Sequence, residues 1–166
     1  YPSEDITKNL GSSTARWSAT YLGAGAAATP SLSFSPTNTV TTGLYSSAEG
    51  TISFSSGGVY AGQIASGGNM TMVGNITANS DLRLKRDLTV IDNALNKVQQ
   101  ITGNTYTRID TGDRQTGIIA QDLEKVLPEA VLQNSEYKSV AYGNIVGLLI
   151  EAIKELRAEV AALKSV

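Results

Sequence analysis

Cysteine and histidine are both missing from this chain. Without cysteine there is no disulfide, no thiolate nucleophile and no Cys-ligated metal. Without histidine a Ser-His-Asp triad cannot be built, and a typical zinc site loses its commonest ligands. Any acyl-transfer chemistry must draw its base from a lysine, a carboxylate or a terminal amine. No apolar run approaches the roughly 20 residues that cross a bilayer, so no membrane partner is expected. Charge of one sign is also lacking. Thirteen Lys and Arg against fifteen Asp and Glu leave a net charge of −2, which excludes a general binder of nucleic-acid polyanions. No cofactor is called for. The first residue is Tyr1 rather than methionine, and the reading is of the tail end of something longer.

Charge is scarcest in the first half. Residues 1–79 hold five charged side chains (Glu4, Asp5, Lys8, Arg16 and Glu49) and 11 of the 16 glycines. Short alternating runs, Thr51–Ser55, Val59–Ile64 and Asn69–Val73, are separated by Gly57-Gly58 and Gly67-Gly68. Those pairs supply the positive φ angles of tight hairpin turns. Large apolar residues are thin, so such a segment struggles as a monomer to offset its ordering entropy. The expectation is a β-rich stalk, 1–79, whose core is completed by other copies. In Lys8–Trp17 the lone Trp17 beside Arg16 reads as a packing anchor, with a ligand-stacking site as its alternative.

The second half, 80–166, carries the other 23 charges and reads as mixed α/β over 80–143 with a C-terminal helix over 144–166. Ile91, Leu95 and Val98 fall at helical intervals, so a helix is predicted over 92–100 with Gly103 as its C-cap. Residues 104–109 alternate as a strand, with a turn at Thr111-Gly112-Asp113. A short helix is predicted from Asp122 to Val126, stopped by Pro128. Extended segments follow near Val131-Leu132 and over Ser139–Tyr142. At the end, Val146, Leu149, Ile153, Leu156, Val160 and Leu163 alternate at spacings of three and four. This is a heptad seam with β-branched a and leucine d positions, so a coiled coil is predicted and the chain reads as an oligomer. Taken alone, that choice of residues leans towards two strands.

At the border stands Asn79-Ser80-Asp81-Leu82-Arg83-Leu84-Lys85. A serine hydroxyl becomes a nucleophile when a base takes its proton, and a desolvated lysine can be that base. Ser80 could attack the Asn79 carbonyl, shift the acyl group from nitrogen to oxygen and let water release the first half. Asp81 could orient either partner, although a carboxylate beside Lys85 works against its use as a base. The bland alternative is an Asp turn or cap followed by an ordinary strand with a solvated basic face.

These residues resemble the opening motif of the endosialidase-type intramolecular chaperone family, found at the C-termini of phage tail spikes and fibres. Gly117–Leu123 running on to Leu127–Val131 is similar to the family's central segment, and Tyr142–Leu149 with Ala152–Leu156 to its closing helix. Leu10–Ser13 with Arg16-Trp17 resembles a short element of fibre stalks. The resemblance implies an obligate homotrimer whose chaperone domain registers three nascent stalk chains and then releases itself by autoproteolysis at Asn79-Ser80. It assigns Ser80 as nucleophile and Lys85 as base. It also implies a place in the virion, assembly in the host cytoplasm, and a host surface receptor for the full-length fibre. Two rivals stand beside it: a permanent trimerisation tip in which Ser80 and Lys85 are only structural, and a receptor-binding tip.

Overall fold

The computed structural model describes residues 19–34, 41–133 and 136–165. The Lys8–Trp17 stretch, with Arg16, Trp17 and Leu10–Ser13, lies outside them. Contacts divide the chain into two compact units, Tyr1–Asn79 and Ser80–Val166.

The first unit is an antiparallel meander in the order β1 (Leu32–Ser33), β2 (Gly43–Tyr45), β3 (Ile52–Ser56), β4 (Val59–Ile64) and β5 (Met70–Met72). Gly57 and Gly58 carry φ of 61° and 82°, as a two-residue hairpin turn between right-twisted strands requires. Of the next glycine pair only Gly68 has positive φ. That longer turn closes instead through Gly68 N donating to Ala65 O and Ala65 N to Asn69 O, so it needs one left-handed residue where the sequence suggested two.

Strand alternation sorts the side chains onto two faces. The register aligns Leu32, Leu44, Phe54, Gly62 and Met72 across all five strands, with Ile52, Ile64 and Met70 beside them on the same face. The other face carries Ser33, Gly43, Tyr45, Ser53, Ser55, Gln63 and Thr71. A bulge between Phe54 and Ser55 shifts the β3–β4 register. The chain folds over the polar face. There the single Ser55 hydroxyl proton is shared between Thr41 O at 2.8 Å and Ala27 O at 2.5 Å, and Ser53 Oγ meets Ser47 Oγ at 2.7 Å.

The second unit runs α1 (Ala94–Gln99), β6 (Gly103–Thr107), β7 (Arg114–Ile118), α2 (Ala120–Val126), β8 (Val131–Leu132), β9 (Ser139–Val140) and α3 (Val146–Lys164). β6 pairs with β7 and β8 with β9, both antiparallel. Several boundaries differ from expectation for local reasons. Asn93 sits at φ 50°, and this left-handed residue delays α1 to Ala94. Gln100 and Ile101 close it by donating to Lys97 O and Val98 O. Gly103 is therefore not a C-cap but the first residue of β6, opposite Ile118. β6 ends at Thr107 because Arg108 turns, its guanidinium paired with Asp110. Tyr142 is not extended but opens a 3-10 turn, Tyr142–Ile145, that leads straight into α3.

Buried Ala94 of α1 and Leu148 and Ala152 of α3 form the core, flanked by Ile91, Val98, Ile101 and Leu127. A Cβ at Gly117 would run into the Tyr142 hydroxyl, so a side chain there would force the tyrosine to shift.

Candidate functional site

Asp81 starts the border site. Its carboxylate Oδ1 accepts from the Arg83 backbone N–H at 2.8 Å, a side-chain cap on the 3-10 turn Leu82–Leu84. Leu84 N then donates to Asp81 O, and Lys85 N to Leu82 O at 3.0 Å. This tight turn folds the chain back within six residues and returns the Lys85 side chain to Ser80. Lys85 Nζ donates to Ser80 Oγ at 2.7 Å. The two residues singled out from the sequence are in direct contact.

Asp81 does not join them. The Arg83 guanidinium grips its carboxylate, Nε to Oδ1 at 3.0 Å and Nη2 to Oδ2 at 2.8 Å. That grip, with the Arg83 backbone N–H, holds the Asp81 carboxyl below its ordinary range. Asp81 thus shapes the turn and leaves Lys85 to the serine. The spacing of Asp81 and Arg83, two apart across a capped turn, was the available signal for this pair. The rest of the basic cluster is also engaged, since Arg86 faces Asp87 at 3.4 Å. Asn79, Ser80 and Lys85 are exposed in the single chain. The bond before Ser80 joins the last residue of the first unit to the first of the second.

The heptad positions lie along α3, and all are exposed: Val146, Leu149, Ile153, Leu156, Val160 and Leu163. Ile153 is 66% exposed and Leu163 78%, values that no soluble monomeric helix needs at six regularly spaced apolar positions. A different stripe of α3 holds α1. Leu148 and Ala152 bury against it, and Glu155 accepts the first two N–H groups of α1, from Ala94 at 2.8 Å and Leu95 at 2.7 Å. Those two bonds draw the Glu155 carboxyl below its ordinary range. Leu148, Ala152 and Glu155 were missed in the sequence because the heptad absorbed the whole periodic signal. Their own spacing of four and three was the clue.

Among the described residues no group of three or more Asp or Glu side chains is placed to hold a metal. No helix among them is long and apolar enough to cross a membrane.

A family model described as chaperone of endosialidase matches residues 80–132. The chain is similar to the long tail fiber protein Gp37 of Enterobacteria phage K3, 37% identical over 101 residues that make up 55% of this chain and 8% of that protein. Gp37 of Enterobacteria phage T2 matches equally, at 37% over 101 residues and 8% of its length. Gp37 of Enterobacteria phage Ox2 is 36% identical over 117 residues, 64% of this chain and 46% of that protein. The chain therefore spans only a small part of the K3 and T2 proteins and under half of the Ox2 one. Residues 80–132, the segment that opens with the Ser80–Lys85 contact, match the chaperone-of-endosialidase family model, within a chain similar to phage long tail fiber proteins.

Proposed function

We propose that residues 80–166 are the intramolecular chaperone of a phage tail fibre, and that they trimerise, hold three stalk chains in register and then release themselves by cleaving Asn79-Ser80. The observation that carries this reading is the 2.7 Å contact between Lys85 Nζ and Ser80 Oγ, placed at the boundary between the two units.

The chemistry is a single turnover. Neutral Lys85 takes the Ser80 hydroxyl proton as Oγ attacks the Asn79 carbonyl carbon. The Asn79–Ser80 C–N bond breaks as the proton passes to the Ser80 nitrogen, leaving an ester between the Asn79 acyl group and Ser80 Oγ. Water then cleaves the ester, giving an Asn79 carboxylate and a free Ser80 amine and hydroxyl. A lysine serves as base only when desolvated into its neutral form. Both side chains are exposed in one chain, so the assembled trimer is what would withdraw them from water. Cleavage then follows assembly.

The seam of α3 supports the oligomer. Six exposed apolar positions in heptad register bring copies together and raise the local concentration of the slow-folding stalk segments tethered to them. The fibre carrying the stalk is part of the virion, is assembled in the host cytoplasm and meets a host surface receptor through its full length.

Denaturing intact-mass spectrometry of the chain, beside Ser80→Ala and Lys85→Ala, tests the reading. Two fragments splitting between Asn79 and Ser80 in the parent, and one uncut chain in both variants, are expected. One uncut mass in all three leaves a permanent trimerisation tip and removes the autoprotease.

A further inference from the structure

The sheet of the first unit is built with its polar side inward. Buried Ser53 and Ser55 lie on the face that the chain itself covers, where they find hydroxyl and carbonyl partners. Among the described residues the apolar face is largely uncovered. Ile52 on the central strand is 50% exposed and Met70 59%, while Leu44, Phe54 and Ile64 on the same face are half-buried. Gly62, in the middle of the Leu44–Phe54–Met72 row, has no side chain to interrupt the surface, and the Met72 thioether lies over it. A continuous apolar row across five strands has no role in a solvated monomer and marks an interface.

We infer that this face, centred on Ile52 and Phe54, is covered by the same face of other copies of this chain. Charge argues for a self-partner. Glu49 is the only ionic side chain in residues 19–79, and it lies in the turn before β3, off the apolar rows. Identical copies can therefore meet on this face without like-charge repulsion, while a charged partner finds nothing to pair with. A second, independent self-association element in the same chain, the bare seam of α3, tethers copies of the sheet within reach of one another. The inference rests on the trimeric reading above and adds which face makes the stalk core, with Ile, Phe and Met turned towards the other copies.

The lack of cysteine makes the test clean. Ile52→Cys reports on the apolar face and Thr71→Cys, an exposed position of the edge strand β5, on the opposite one. In the full chain the Ile52→Cys thiol is expected to react with a maleimide about tenfold or more slowly than the Thr71→Cys thiol. It is also expected to link copy to copy with a short bis-maleimide, while Thr71→Cys does not. Adding Ile153→Asp and Leu156→Asp to break the seam should restore fast labelling. Slow labelling that survives seam breakage, with no copy-to-copy link, means that another part of the same chain covers the face, and overturns the inference. Fast labelling of Ile52→Cys in an intact oligomer means the face is bare, and overturns it as well. Light scattering on the parent chain separates the two levels: a monomer there removes the trimeric reading itself, whereas an oligomer with fast Ile52→Cys labelling removes only the choice of face.

Discussion

Among the described residues of the first unit, those withdrawn from solvent are Pro30, Gly43, Ser53, Ser55 and Gly62. In the second they are Ala94, Leu123, Ala130, Leu148 and Ala152. One unit buries small and hydroxylic residues, and the other buries leucine and alanine. Leucine leaves water with a gain of roughly 1.5–3 kcal/mol per side chain. A buried serine hydroxyl at best recovers in protein hydrogen bonds what it loses in water. The second unit therefore holds a source of stability within one chain, and the described residues of the first hold no comparable apolar burial. A fold can be fully regular in hydrogen bonding and still be unfinished thermodynamically.

The most severe way to break this comparison is to separate the copies. Ile153→Asp with Leu156→Asp should convert the oligomer to monomer by light scattering, and the β-signal of the first unit in circular dichroism should then melt far below that of the parent. A first unit equally stable in the monomer would end the distinction. Next in size, Leu148→Ala removes a fully buried side chain and should cost the second unit about 2–5 kcal/mol in denaturant unfolding. The same experiment should leave the strand signal of the first unit unmoved as long as the oligomer survives.

A smaller effect sharpens the account of packing near the 3-10 turn. Gly117→Ala pushes a methyl group at the Tyr142 hydroxyl, an overpacking cost of about 1–3 kcal/mol. Combining it with Tyr142→Phe, which removes that hydroxyl, should recover part of the loss. The smallest expected effect is electrostatic. Glu155 has its carboxyl lowered by two backbone N–H donors, so its stabilising contribution is complete above the unfolded value of about 4.3 and fades as pH falls through the lower folded value. Thermal melts of the second unit between neutral pH and the acid range should fall more steeply for the parent than for Glu155→Gln.

Much of this was legible in the sequence where the signal was local and periodic. Val59–Ile64 matches β4 residue for residue, the Gly57-Gly58 hairpin has the required backbone, and Ser80 and Lys85 meet because a six-residue turn needs nothing from the rest of the fold. What stayed hidden depends on partners distant in sequence. Gly103 reads as a cap until Ile118 is known to sit across from it. The face of α3 that binds α1 is masked by the stronger heptad on the same helix. By sequence Asp81 could orient Ser80 or Lys85, and only the geometry of the Leu82–Leu84 turn gives it to Arg83.

The grip of Glu155 on the first residues of α1 also has a mechanical side. A lone heptad helix is free to roll about its own axis, and any of its stripes can face a neighbour. Here Leu148, Ala152 and Glu155 are fastened to α1 along one side, so α3 is keyed like a shaft in a slot. Its rotational phase is fixed within the single chain, and the stripe from Val146 to Leu163 faces out. Under the proposed trimer, each subunit would come to assembly already indexed.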